Sequence, residues 1–221
     1  MPEPRSAATN AATEDPKRQK ILDAALAVFC ERTFAGCNVP SIAERAGVAT
    51  GTIYRYFPSK EALLNELYRT WKGELRRRLV DDGLRLDPGD DARAVFDHWW
   101  TALTGFVRDE PQAFEFLELH HHEPYLDDDS HGEAFAIDTA ALAFVEAGQQ
   151  VGALRADQAP AVLIALVYGA LAGLFRAHRL YGELVDTDAY DQAGDAVWDM
   201  VRNRTLSDPA PDPTPDPKDE R

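Results

Sequence analysis

Few residues in this chain are placed to do chemistry, and most fall short of a catalytic arrangement. His120, His121, His122 and Glu123 form the one cluster that suggests a metal ion or hydrolysis. Consecutive residues on a helix point about 100° apart, so three adjacent histidines of a regular helix cannot all reach one ion. There is no His-Glu-x-x-His pair, and His98 and His178 would have to join from other helices. Asp127, Asp128 and Asp129 lack the one-three-five spacing of a calcium loop. No nucleophile elbow, phosphate-binding loop or dinucleotide fingerprint is present. Cys30 and Cys37 read as small hydrophobes, with a redox pair as the alternative. What remains is recognition. Between Ser41 and Lys60, the side chains of Thr50, Thr52, Arg55 and Tyr56 are directed away from the apolar positions Ile53 and Phe57.

Two short helical patterns position those side chains. Ile42, Ala43 and Ala46 share one face of the first, and Ile53 with Phe57, four apart, buries the second against it. Gly47 supplies the positive φ of a tight turn between them. Two short helices joined by such a turn form a helix-turn-helix, whose second helix can enter a DNA major groove.

The run Ile42-Ala43-x-x-Ala46-Gly47-Val48-x-x-Gly51-x-Ile53-Tyr54-x-Tyr56-Phe57-x-x-Lys60-x-x-Leu63 resembles the DNA-binding signature of the TetR (tetracycline-repressor-like) family, over about residues 17–67. The resemblance implies that Thr50, Gly51, Thr52 and Arg55 face base edges or the groove, with Arg55 pairing with a guanine or binding phosphate. It implies phosphate contacts for Tyr54, Tyr56 and Lys60 that set orientation, the alternative for Tyr54 being a core aromatic. Lys17, Arg18 and Lys20 crowd the first turn of a helix opened by Asp15-Pro16. Cations there oppose the helix dipole, so they await an external anion or form a solvated cluster; Lys17 and Arg18 join the DNA-binding candidates.

The charge distribution suits this reading. Residues 1–80 hold 13 Lys/Arg and 9 Asp/Glu, a net of +4, and residues 81–221 hold 10 Lys/Arg and 29 Asp/Glu, a net of −19. A basic module joined to an acidic body touches phosphates at one end only. The polar, Ala-rich start is no signal peptide, and no apolar run approaches the roughly 20 uncharged residues of a membrane span, which points to the cytoplasm and no membrane partner.

The fold expected is all-α, about nine helices: a three-helix DNA-binding domain followed by a helical ligand-binding and dimerisation domain. Residues 1–14 form a disordered arm, 15–62 the helix-turn-helix domain, 63–206 the second domain and 207–221 a disordered Pro/Asp-rich tail. The first helix ends near Arg32. A helix over about 59–82, with Ser59 as its cap, links the two domains, and its Arg76-Arg77-Arg78 pairs with the acidic body. An acidic loop, Pro124 to Ser130, precedes a helix over about 132–151. The helix over about 160–181 is apolar nearly all round, and its small residues Gly169, Ala170, Ala172 and Gly173 let another helix approach closely; Leu166, Gly169, Ala170, Gly173 and Leu174, with Val197 and Val201 on the last helix, are the candidate dimer interface.

One helix-turn-helix reads only a few base pairs, so a homodimer on a palindromic double-stranded operator is expected. The family resemblance assigns dimerisation to the last two long helices; the alternative is that the apolar helix is a monomer's core. A small-molecule ligand, apolar or aromatic, would lie within the second domain, with Trp99, Trp100, Phe106, Phe114, Phe116, Phe135, Tyr168 and His120 as candidate lining. No cofactor, metal or catalytic residue is expected. The function reached is a ligand-released transcriptional repressor; the alternative is a metal-dependent helical enzyme with an accessory DNA-binding module.

Overall fold

A computed structural model describes residues 15–81, 84–182, 186 and 188–204. The arm and tail expected at 1–14 and 207–221 lie outside the described residues. Among the described residues the chain is all-α, with nine α-helices and no strand; a single isolated bridge joins Leu154 and Arg202. It forms two compact units, Met1–Lys72 with Gln112–His131, and Gly73–Pro111 with Gly132–Arg221.

Local rules explain the first unit's helices. In α1, Pro16–Gly36, the Asp15 carboxylate accepts the Lys17 N–H at 2.9 Å and Pro16 takes the first position, where no N–H is needed. Ile21, Leu22, Ala25, Leu26 and Phe29 are buried, one stripe of a 3.6-residue period. The helix breaks at Thr33 (φ 60, ψ 166), so its regular part stops where the sequence suggested and one more turn follows. Asn38 caps α2, Val39–Ala46, by accepting the Ser41 N–H at 2.9 Å. Gly47 (φ 66, ψ 35) ends it: its N–H meets the Glu44 carbonyl at 3.1 Å and the Val48 N–H meets Ala43 at 3.0 Å. That is a Schellman turn, which a side chain at position 47 would strain. α3 follows as Thr50–Tyr56, and Ser59 caps α4, Lys60–Arg76, through the Ala62 N–H at 3.0 Å.

α4 continues as a π-turn over Arg77–Asp81, and each arginine of the triple finds a carboxylate. Arg76 reaches Glu133 at 3.0 Å, Arg77 reaches Glu74 at 2.7 Å and Arg78 reaches Asp109 at 2.9 Å. α5 spans Ala92–Asp109, capped by Asp91, and α6 spans Pro111–Leu119. The acidic loop expected before α7 is corrected: α7 is Asp128–Gln150, and a short 3-10 turn covers Glu123–Tyr125. The Asp127 carboxylate accepts the Ser130 N–H at 2.9 Å, so the acidic run opens the helix, where the dipole favours anions.

α8, Pro160–Tyr181, and α9, Asp188–Val201, complete the second unit. By length and composition α8 could cross a membrane, since an 18-residue window carries at most two charged residues at mean hydropathy 1.8. Only Leu163, Val167, Leu171 and Phe175, spaced four apart, are buried against the unit's own core. Val162 and Leu166 are more than 40 % exposed, at 43 % and 42 %.

Candidate nucleic-acid interface and ligand cavity

The turn at Gly47 fixes the direction in which the chain leaves α2 and enters α3. Ile53 and Phe57 are buried, at 1 % and 3 % exposure, which leaves the rest of α3 to solvent. Gly51, Tyr54 and Arg55 are exposed, and Thr50, Thr52 and Tyr56 are half-buried. Tyr54 at 51 % exposure is not a core aromatic. The structure thus gathers Thr50, Gly51, Thr52, Tyr54, Arg55 and Tyr56 on one short helix with an open face. The Tyr56 hydroxyl donates to the Asp15 carboxylate, the α1 cap. That bond is the main reason the phenol is held above its ordinary pKa and the Asp15 carboxyl below its own.

Three cations expected at DNA are placed differently from one another. Lys17 is exposed. Arg18 donates to Glu66 at 2.6 Å and lies 5.4 Å over the Phe57 ring. Lys60 turns inward: its ammonium donates to the carbonyls of Phe34 and Cys37 at 2.8 and 3.0 Å and sits 4.0 Å over the Phe34 ring. The break at Thr33 ends the helical ladder near those carbonyls, and the ammonium supplies donors there. An expected phosphate contact is therefore spent mostly on the turn between α1 and α2.

Sequence reasoning missed what packs beside these helices within the same unit. Phe29 stacks on Phe116 at 6.1 Å, and Phe34 meets Tyr125 at 4.2 Å. Asn65, 4 % exposed, donates to the carbonyls of Glu61 and Tyr125, both at 2.9 Å, and accepts the Asp127 N–H at 2.8 Å. Arg69 reaches both Asp127 oxygens at 2.9 and 2.8 Å, and Lys72 pairs with Glu118 at 3.0 Å. Only the residue types hinted at this; no spacing links partners some 60 positions apart.

The histidine run does not converge on an ion. Among the described residues no group of three or more His, Cys, Asp or Glu side chains is gathered to hold a metal. His122 is buried, its Nε2 2.7 Å from the Phe116 carbonyl and its ring 4.3 Å from the Phe116 ring. Burial pushes its pKa down to about 4, so it is neutral at pH 7, with Nε2 protonated to donate and Nδ1 buried without a partner. His121 is exposed. Cys30 and Cys37 are not joined in a disulfide; burial pushes the Cys37 thiol up, away from reactivity.

The second unit contains an apolar cavity of about 40 Å³. Its twelve lining residues, among them Phe96, Trp99, Phe144, Leu154, Val167 and Tyr168, include no charged side chain. Of the candidate lining residues, Trp99 and Tyr168 are on this wall. Trp100 lies behind it, donating from its indole to the Tyr190 carbonyl at 2.8 Å and stacking on Phe96. Gly194 makes room, since a Cβ there would sit 3.0 Å from Trp100 Cδ1. Phe106 is buried under the Arg78 guanidinium, 5.4 Å away. Phe135 is 71 % exposed and is not on this wall, and Phe114, Phe116 and His120 belong to the other unit. The sequence showed that these aromatics recur at helical spacing, which cannot distinguish a wall from a core.

A shallow apolar groove runs between α8 and α9, lined by Ala170, Gly173, Leu174, Ala177, Ala193, Ala196, Val197 and Met200. Gly169 and Leu166 are exposed on α8, whereas Val201 is buried and lines the cavity instead.

Residues 21–67 match the family model described as bacterial regulatory proteins, tetR family. Residues 78–203 match the model of the tetracyclin repressor-like C-terminal domain. The fatty acid metabolism regulator protein of Bacillus subtilis is 42 % identical over 67 residues, 30 % of this chain and 34 % of that protein. The HTH-type transcriptional repressor KstR of Mycolicibacterium smegmatis is 50 % identical over 48 residues, 22 % of this chain and 24 % of that protein. The match spans about a third or less of the length of these curated relatives. Across the whole fold, a tetR family transcription regulator from Shewanella sp. PV-4 superposes with a TM-score of 0.68 at 26 % identity, covering 86 % of this chain and 100 % of that one. FadR from Bacillus subtilis in complex with stearoyl-CoA superposes with a TM-score of 0.60 at 20 % identity, covering 82 % and 96 %.

Proposed function

The chain belongs to the tetR family of bacterial regulatory proteins, and from that premise we propose that it is a cytoplasmic repressor that binds a palindromic operator as a homodimer. The observation that carries this reading is the open face of α3, held off the core by Ile53 and Phe57 and aimed by the Gly47 turn. Arg55 reads a base edge, Thr50, Gly51 and Thr52 approach the groove, and Tyr54 sets orientation on a phosphate, as Tyr56 does where its hydroxyl exchanges the Asp15 carboxylate for one. Lys17 adds charge near the same backbone. One α3 reads too little sequence alone; two copies fixed about 34–36 Å apart read both halves of a palindrome. The α8–α9 groove, with its small residues and apolar rim, suits an isologous contact between two copies.

Release comes from a small apolar molecule bound in the cavity of the second unit. It works through different affinities for the DNA-competent and DNA-incompetent states, so operator and ligand weaken each other by the same factor. The uncharged wall favours an apolar ligand. For the alternative, a metal-dependent enzyme, the described residues gather no group of three His, Cys, Asp or Glu side chains that could hold the ion.

The test is selection of duplexes from a random pool by the purified protein, with its mass measured by sedimentation at micromolar concentration. Enrichment of one inverted repeat by a dimer is expected. A monomer with no preference for any duplex at low salt overturns the reading.

A further inference from the structure

The geometry points to Arg18 as a positioning residue for α3 rather than a phosphate contact, held by a file of alternating charges that runs through Glu66 and Arg69 to Asp127 at the head of α7. The inference rests on the DNA-binding reading above and adds to it two acids, Glu66 and Asp127, whose presence supports binding to a polyanion.

The file is continuous. Arg18 Nη2 donates to Glu66 Oε1 at 2.6 Å, and the second Glu66 oxygen accepts from Arg69 Nη2 at 3.4 Å. Arg69 Nη1 reaches both Asp127 oxygens, at 2.9 and 2.8 Å, and Ser130 Oγ at 3.2 Å. Asp127 is itself fixed twice by backbone, accepting the Ser130 N–H at 2.9 Å and donating its own N–H to Asn65 Oδ1 at 2.8 Å. At the other end the Arg18 guanidinium lies 5.4 Å over the ring of Phe57. Phe57 terminates α3, its N–H closing on the Ile53 carbonyl at 2.9 Å, and is 3 % exposed. Arg18 therefore clamps the residue that ends the helix carrying Arg55.

Charge balance separates the two roles. Two arginines and two carboxylates sum to zero, so the file has no net cation with which to displace counterions from DNA. Burial pushes Glu66 up, yet the hydrogen bonds from Arg18 and Arg69 outweigh it and hold the carboxyl below its ordinary range. Each pair alone is partly exposed, Arg18 with Glu66 at 38 % and 33 % and Arg69 with Asp127 at 30 % and 49 %. Such pairs contribute little singly, and a shared network is the case in which they contribute. The effect expected is correspondingly modest.

The test uses the full chain and the duplex that the wild type selects from a random pool. Dissociation constants are measured over a salt series for Arg18→Ala, Glu66→Gln and Asp127→Asn, with circular dichroism confirming the fold of each. Arg18→Ala is expected to weaken binding about two- to fivefold, the range of one such pair, with an unchanged slope of log K against log salt. Glu66→Gln and Asp127→Asn should also weaken it, although each removes a negative charge and simple electrostatics demands the opposite. A slope reduced by about 0.9 per protomer in Arg18→Ala makes it a phosphate contact and overturns the proposal. Tighter or unchanged binding by Glu66→Gln overturns it too, and decides the matter should Arg18→Ala fail to fold. A wild type that selects no duplex instead overturns the DNA-binding reading itself.

Discussion

Lys60 separates a structural cation from a DNA-binding one most sharply. Lys60→Met keeps most of the apolar stem and removes two hydrogen bonds from a charged donor and one contact with an aromatic face. A charged hydrogen bond contributes about 1.5–3 kcal/mol, and a cation over a ring about 0.5–1 kcal/mol at an exposed site. Two features lower the sum. The Phe34 carbonyl keeps the Cys37 N–H at 3.3 Å, and Lys60 is only half-buried, so water replaces part of what is lost. About 2 kcal/mol remains. For a chain of this size each kcal/mol moves Tm by about 2–4 °C, so Tm should fall by about 4–8 °C. A lysine that neutralised a phosphate would instead flatten the salt dependence of DNA binding by about 0.9 in log–log slope per protomer. Calorimetry and a salt series of anisotropy titrations read the two quantities separately. A variant with unchanged Tm and a flattened slope refutes the inward role of Lys60.

Two further perturbations follow from buried groups. The unfolded chain protonates His122 as pH falls through about 6.5, whereas the folded chain resists until about 4. Stability is therefore complete above about pH 6.5 and is lost as pH falls toward 4, by about 2 kcal/mol between pH 7 and 5. Urea unfolding of His122→Phe at those two pH values should show that much less acid sensitivity than the wild type. Leu154 is 1 % exposed, lines the cavity, and has its backbone pinned by the bond from Arg155 N–H to the Val201 carbonyl at 2.9 Å. A pinned wall beside an existing void collapses little, so Leu154→Ala should cost about 3–5 kcal/mol in urea unfolding, the upper part of the usual range.

What could be read from the sequence was what local rules decide. Asp15, Asn38 and Ser59 cap helices because a short side-chain oxygen reaches an orphan N–H within three residues. Gly47 takes the positive φ that its place after α2 implies. The buried and open faces of α3 follow from two apolar residues four apart. What could not be read depends on partners distant in the chain. Arg18 and Lys60 are cations in the right module, but their occupation by Glu66, 48 residues away, and by the Phe34 carbonyl, 26 away, has no sequence signature. The aromatic candidates divided between two units because a 3.6-residue period marks an inward face without saying what lies inside. The acidic run before α7 was legible in principle, since Asp127 stands three before Ser130 at a helix start. Its charge suggested a solvated loop instead.

The void behind Trp99 and Leu154 has a mechanical consequence. Its 40 Å³ corresponds to about 24 mL per mole, and the volume lost on unfolding scales with such space without equalling it. Hydrostatic compression therefore works against the second unit through the space this cavity contributes. A guest that occupies the space removes that handle, so the loaded protein resists compression better than the empty one.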